Sequence, residues 1–183
     1  IDGPQSSGNV VIGNYIGLDA DGAAALGEQA VGVDIAHGAY SNIVGGTTPG
    51  ERNVISGNMF VGVSITDTTQ EGTRDNYIRG NYIGTDYTGM YPIPNNQGGV
   101  GIAFDASGNV IGGSAPGAGN VISGNTGLTP DGIRIGIFAS GNFVYGNIIG
   151  LTADMSAPLP NGYGIYMAGD TNGNRIGGLG PNE

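Results

Sequence analysis

The chain has 183 residues, 39 of them glycine, about a fifth and roughly three times average usage, while 38% are hydrophobic. Glycine costs about 1 kcal/mol per helical site relative to alanine and no long stretch avoids it, so helices are excluded as the main element and turns and strands must dominate. Fifteen acids stand against five arginines and no lysine, and the net charge of -10 repels phosphate backbones and anionic headgroups, so neither nucleic acid nor a membrane surface is expected as a partner. No apolar run reaches the roughly 18 residues a bilayer span needs. With no cysteine there is no disulfide, thiolate metal site or thiol nucleophile.

Taken in order, the predicted elements repeat. Asn9-Val-Val-Ile-Gly-Asn14-Tyr-Ile-Gly17 opens the chain and returns, at almost equal spacing, as Asn76-Tyr-Ile-Arg-Gly-Asn81-Tyr-Ile-Gly84 and Asn142-Phe-Val-Tyr-Gly-Asn147-Ile-Ile-Gly150. Next come strands of the form Gly-[Val/Ile]-x-[Ile/Met], starting at Gly32, Gly62, Gly99, Gly132 and Gly164. Between them lie Asn42-Ile-Val-Gly-Gly46, repeated at Asn109 and Asn174, and Asn53-Val-Ile-Ser-Gly-Asn58, repeated at Asn120. The second residue after each leading asparagine is Val11, Val44, Ile55, Ile78, Ile111, Ile122, Val144 or Ile176, which reads as one buried row. In the Gly-starting strands the pairs Val33/Ile35, Val63/Ile65, Val100/Ile102, Ile133/Ile135 and Ile165/Met167 face inward. Asp34, Ser64, Gly101, Arg134 and Tyr166 face outward between them. A unit of about 33 residues cannot bury its own apolar face, and stacking its neighbours does.

Those Gly-Val-x-Ile strands, Asn-x-Ile-x-Gly-Asn corners and following loops resemble the right-handed parallel β-helix (pectate-lyase-like β-solenoid) repeat proteins over the whole chain. The resemblance implies an all-β fold of about 5–6 coils and a single domain over residues 1–183. It leaves activity open, because the family includes polysaccharide lyases, hydrolases, adhesins, phage spikes and structural fibres. Asn14, Asn58, Asn81, Asn125 and Asn147 each follow glycine at a strand end, where an amide tolerant of the left-handed conformation can turn the chain and bond its counterpart in the next coil.

Chemistry is sparse. A catalytic site of the lyase or hydrolase kind needs clustered carboxylates, with calcium and a basic residue or as an acid-base pair, and none is evident. Asp19-Ala-Asp21-Gly22 is the one metal-like string, two carboxylates at calcium spacing; its counterparts at Asp86 and Asp154 keep a single acid each. These loops recur two coils apart, about 9 to 10 Å at one strand spacing per coil, too far to share one ion's first shell. Apart from that calcium reading no cofactor is expected. His37 reads as a turn residue, with Asp34 the carboxylate considered for it. The five arginines form no row.

The residue after each leading asparagine should face outward, yet it is Val10, Ile43, Val54, Tyr77, Val110, Val121 or Phe143, with Arg175 the polar exception. Either the intervening loops, such as Thr47–Glu51, cover this row, or it is a lateral interface through Val54, Tyr77, Val121 and Phe143. Both ends fall mid-repeat: Ile1 aligns with the last residue of a Gly-Val-x-Ile strand, and Leu179–Glu183 aligns with Thr47–Glu51. The expectation is an uncapped slice or subunit of a longer solenoid or polymer that self-associates head to tail and laterally. The function expected is a non-enzymatic extracellular or cell-surface structural solenoid, a fibre subunit or adhesin stalk. The alternative is a carbohydrate-active or carbohydrate-binding domain with a polysaccharide partner.

Overall fold

A computed structural model describes residues 1–27 and 29–178; the expected match of Leu179–Glu183 to Thr47–Glu51 lies outside them. The first coil is β1 (Val10–Val11), β2 (Tyr15–Ile16) and β3 (Val33–Ala36), and the second is β4 (Ile43–Val44), β5 (Val54–Ile55) and β6 (Val63–Thr66). The third runs β7 (Tyr77–Ile78), β8 (Tyr82–Ile83), β9 (Val100–Ala103), and the fourth β10 (Val110–Gly112), β11 (Val121–Ile122), β12 (Asp131–Gly136). The fifth is β13 (Phe143–Tyr145), β14 (Ile148–Ile149) and β15 (Tyr163–Ala168), and β16 (Arg175–Ile176) opens a sixth. Each coil donates one strand to each of three wholly parallel sheets: β1-β4-β7-β10-β13-β16, β2-β5-β8-β11-β14 and β3-β6-β9-β12-β15. The chain is a parallel β-solenoid of about five coils.

Register follows the repeat. Val63 lies between Val33 and Val100, and Ile65 between Ile35 and Ile102, so inward side chains stack into files along the axis. Val44, Ile55, Ile65, Ile78, Ile83, Ile102, Ile111, Ile122, Ile133 and Ile135 fill the interior. Ile1 packs against this core beside Ala36, whose N–H donates to its carbonyl, which is the strand-end alignment expected from the sequence.

The expected single row of valine and isoleucine divides into two. Val11, Val44, Ile78, Ile111, Val144 and Ile176 belong to the first sheet, whereas Ile55 and Ile122 belong to the second, stacked with Ile16, Ile83 and Ile149. The local string Asn-x-Ile is the same in both sheets. Loop length separates them: odd coils join the first two sheets by residues 12–14, 79–81 and 146–147, even coils by 45–53 and 113–120. Between the second and third sheets the pattern reverses, with long connections 17–32, 84–99 and 150–162 on odd coils and short ones on even coils. Hence the structural unit is two coils, and this is why the clearest sequence period, from Asn9 to Asn76 to Asn142, skips every second turn of the solenoid.

Asparagine runs three ladders rather than one. Asn14, Asn81 and Asn147 share a ladder with Asn53 and Asn120; Asn58 and Asn125 belong to another with Asn95 and Asn161. A third ladder consists of the leading residues Asn9, Asn42, Asn76, Asn109, Asn142 and Asn174. Within each, an Oδ1 accepts both the backbone N–H and the Nδ2–H of the asparagine one coil earlier, as Asn109 does for Asn76 at 3.0 and 2.9 Å. In most of them the other Nδ2–H donates to a carbonyl of the preceding coil, Asn120 to Ile78 at 2.8 Å for example. The left-handed turn expected of these asparagines is made by the residue before them, Gly13, Gly57, Gly80, Gly124 or Gly146, all at positive φ.

Candidate functional site

The acidic loops are built from the turn inward. Each long odd-coil connection starts as a small hairpin, bridged at Leu18–Ala25, Thr85–Pro92 and Leu151–Pro158. In the first, Asp19 Oδ1 accepts the N–H groups of Ala23 (2.9 Å) and Ala24 (3.2 Å). Asp86 accepts the Thr88 hydroxyl and the N–H groups of Met90 and Tyr91. In the third hairpin Thr152 takes the first acid's position; its hydroxyl donates to Asp154 Oδ1 at 2.7 Å, which also accepts from Ser156. These carboxylates hold their own turns. Asp21 is exposed, and among the described residues no three His, Asp or Glu side chains gather as a metal group.

The hairpins do not stand about 9 Å apart as a bare coil spacing suggests; they touch. Tyr87 N–H donates to Gly22 O and Ala153 N–H to Gly89 O, each at 3.0 Å, across the intervening short coil. The ring of Tyr15 lies over Gly22 and that of Tyr82 over Gly89; a Cβ on either glycine would come within 2.9 Å of the ring, and both glycines have positive φ. In the third copy Ile148 replaces the tyrosine and Met155 the glycine, and Met155 keeps the left-handed conformation at φ 59°. Left-handed backbone costs an L-residue about 1 to 2 kcal/mol, part of which glycine returns as unfolded-chain entropy. Met155→Gly is therefore expected to stabilise the fold by about 0.5 kcal/mol, read as a rise in Tm; a fall would sink this account of the swap.

Hydrogen bonding sets the acid response. Asp154 is held down to about 2, first by the Thr152 hydroxyl and then by Ser156. Asp19 is lowered by the Ala23 and Ala24 N–H groups, and Glu51 by the Thr48 backbone and hydroxyl and the Thr47 backbone. For Asp67, burial pushes upward, but N–H groups of Gly72 and Thr73 and the Thr69 hydroxyl outweigh it and leave the carboxyl lowered. All four are depressed in the folded state, so their stabilisation is complete above the ordinary carboxylate range and disappears as pH falls through the folded values. Tm should stay level from neutral to about pH 5 and decline from about pH 4 towards 2; an undiminished Tm at the acid end would contradict it.

His37 pairs with Asp2 rather than Asp34. Its Nδ1 lies 2.5 Å from Asp2 Oδ1 and its Nε2 3.0 Å from Thr68 Oγ1. A carboxylate, imidazole and hydroxyl in line is a nucleophile's arrangement. Here, however, the N–H groups of Thr69, Glu71, Gly72 and Thr73 all turn onto Asp67 and leave none of that set for an oxyanion. The trio ties the first coil's turn to the loop after β6.

The outward apolar row also splits. Val54 and Val121, proposed above as interface residues, are 2% and 4% exposed. Leu18 and Ile93, from the hairpins on either side, close over Val54 with Tyr82 packed alongside. The first sheet has no such cover at Tyr77 and Phe143, which are 41% and 38% exposed.

A different surface emerges on the third sheet. Its outward file pairs Asp34 with Ser64, Ser64 with Gly101, Gly101 with Arg134 and Arg134 with Tyr166. Where glycine interrupts the file a groove of about 350 Å3 opens, walled by Ser64, Thr66, Gln97, Phe104, Thr129 and Arg134. Arg134 Nε donates to Asp131 Oδ2 at 2.6 Å, and the guanidinium lies 4.7 Å over the Tyr166 ring. The sequence marked Gly101, Arg134 and Tyr166 as outward but not this groove, because Phe104, Gln97 and Thr129 come from loops whose direction no period encodes. A second concavity, among Val144, Ile149, Ile165 and Ile176, is the cross-section of the stack at its last described coil.

The geometry defines the class, a parallel β-solenoid with three asparagine ladders. Comparison of the chain with protein-family models, curated protein sequences and solved structures returns no match.

Proposed function

We propose that this chain is a structural β-solenoid of an extracellular or cell-surface assembly, a fibre or stalk element that acts without catalysis. The observation that carries the reading is the unbroken run of three asparagine ladders through successive coils, the arrangement of a molecule selected for stiffness along one axis. Supporting it, Asp19, Glu51, Asp67, Asp86 and Asp154 are engaged in organising loops, which leaves them poorly suited to acid-base work. The extracellular setting comes with the resemblance to surface fibres and adhesin stalks.

Lateral association with further copies fits the first sheet. Its outward row exposes Val10, Tyr77 and Phe143, with Ile43 half-buried, Val110 buried and Arg175 following Phe143, and it carries no carboxylate in a chain of net charge -10, so apolar contact at the exposed positions avoids like-charge repulsion. Sedimentation should detect oligomers that persist in raised salt and dissociate in Tyr77→Asp and Phe143→Asp, both surface changes that leave the core alone. A monomer at every concentration removes the assembly half of the proposal. For the other half, assays on acidic and neutral polysaccharides, with and without calcium, should stay at background; turnover lost on Asp34→Asn or Asp86→Asn would favour the carbohydrate-active alternative instead.

A further inference from the structure

We propose that two copies of this chain pair through their first sheets with their axes antiparallel, the outward side chains of odd coils seated over the even coils of the partner. This rests on the lateral association proposed above and adds to it the orientation and register of the second copy.

The first sheet is corrugated with the two-coil period. Alternation puts two residues of each coil on its outer side, the one after the leading asparagine and the one two further on. On odd coils these are Val10 with Ile12, Tyr77 with Arg79 and Phe143 with Tyr145. On even coils they are Ile43 with Gly45, Val110 with Gly112 and Arg175 with Gly177. Val110 lies in register between Tyr77 and Phe143 and is 9% exposed, against 57% for Val10. Gly45 and Gly112 hold φ of 85° and 98° where the even coils leave the sheet, and a Cβ on either would collide with the carbonyl oxygen of Arg79 or Tyr145 in the next coil. No side chain can therefore fill these positions. The result is ridges about 9 to 10 Å apart with a furrow one coil wide between them.

Such a face is complementary to itself in one setting. Two closed arrangements with a two-fold axis bring the same sheet of two rods together. With the axis along the rods, every coil faces its own copy, so ridge meets ridge. With the axis across the rods, between an odd and an even coil, the rods run antiparallel and each ridge meets a furrow. Set between the third and fourth coils, it engages β1, β4, β7, β10, β13 and β16 of both copies, the first coil facing the sixth and the fifth the second. Ile12, Arg79 and Tyr145 then lie over the partner's Gly177, Gly112 and Gly45, and Tyr77 and Phe143 over the partner's Val110 and Ile43. Val10 covers the aliphatic stem of the partner's Arg175. The two Arg79 side chains approach one another near the axis, and each is balanced by Glu51 of its own chain, whose carboxyl is lowered by the Thr48 and Thr47 groups and by Arg79. The paired face is about 29 Å by 10 Å, below the roughly 800 Å2 per partner of a standard interface, so pairing is weak and reversible.

The chain has no cysteine, so single cysteines report the orientation cleanly. Ser41 is exposed and Ser140 half-buried, at the turns entering the second and fifth coils. In concentrated solution a bismaleimide spanning about the 10 Å between packed sheets should join Ser41→Cys copies to Ser140→Cys copies. A parallel pair or end-to-end stacking leaves the two sites three coils, about 14 Å, apart along the axis. Val110→Tyr raises a ridge on an even coil with a residue that Tyr77 already carries in the same file, so it should keep Tm yet weaken pairing in sedimentation about tenfold or more. Unspecific apolar contact would be strengthened by the same change. Oligomers that lack the Ser41 to Ser140 cross-link, or pairing unchanged or strengthened in Val110→Tyr, would overturn this arrangement and leave lateral association standing. A monomer even in concentrated solution would remove both.

Discussion

Ile78→Asp is expected to leave no folded protein. Ile78 is completely buried, paired in register between Val44 and Ile111 on the first sheet. A carboxylate there has no cationic partner among the core side chains. Burying it costs several kcal/mol, comparable with the roughly 10 kcal/mol that holds a typical domain together. Ile78→Val removes one methylene from the same file and should cost only about 1 kcal/mol. Far-ultraviolet circular dichroism and thermal melts of the two variants separate charge burial from loss of volume. A soluble Ile78→Asp protein with unchanged Tm would be incompatible with inward stacking at this position.

Truncating a ladder asparagine should have the next largest effect. Asn120 receives the backbone and side-chain N–H groups of Asn81 on its Oδ1 and donates to Asn147 Oδ1 and Ile78 O. Asn120→Ala removes all of these together and strands the Asn81 N–H in a dry interior, where an unmade bond costs about 1 to 3 kcal/mol. The expected loss is about 3 kcal/mol, seen as a lower urea midpoint with the slope unchanged. Asn9→Ala, at the exposed first position of its own ladder, should cost about 1 kcal/mol or less. Equal losses at the two positions would mean that the ladder adds nothing beyond local turn formation.

The repeat and its buried files were legible in the sequence because inward Val and Ile recur at a fixed phase, and a period-two strand leaves their direction no freedom. Residues such as Val54 and Ile55 show where that legibility stops. Asn53-Val-Ile and Asn42-Ile-Val are locally alike, yet they lie on different sheets, and only the length of chain folded out between them decides which. The same cause hid the division of the asparagines: Asn95 and Asn161 complete the ladder of Asn58 and Asn125 from Pro-Asn contexts that lack the Ser-Gly-Asn string of those two. Contact between hairpins was missed because strand spacing measures the backbone rungs, whereas hairpins reach sideways and along the axis. As for the groove, Gly101 and Arg134 could be placed outward by alternation, but Asp131 beneath the guanidinium and Phe104 at the wall depend on turns with no repeat to predict them.

The alternation of loop lengths restricts how such a rod can change its length. Inserting a single coil would place two long hairpins on adjacent rungs at one junction and two short corners at the next. The bonds from Tyr87 to Gly22 and from Ala153 to Gly89 would then lose their spacing. Duplicating a full two-coil segment leaves every hairpin, corner and ladder with the neighbour it already has. Recombination, whether natural or engineered, should therefore be tolerated in even numbers of coils and penalised in odd ones, so that the molecule grows by doublets much as a brick course keeps its bond.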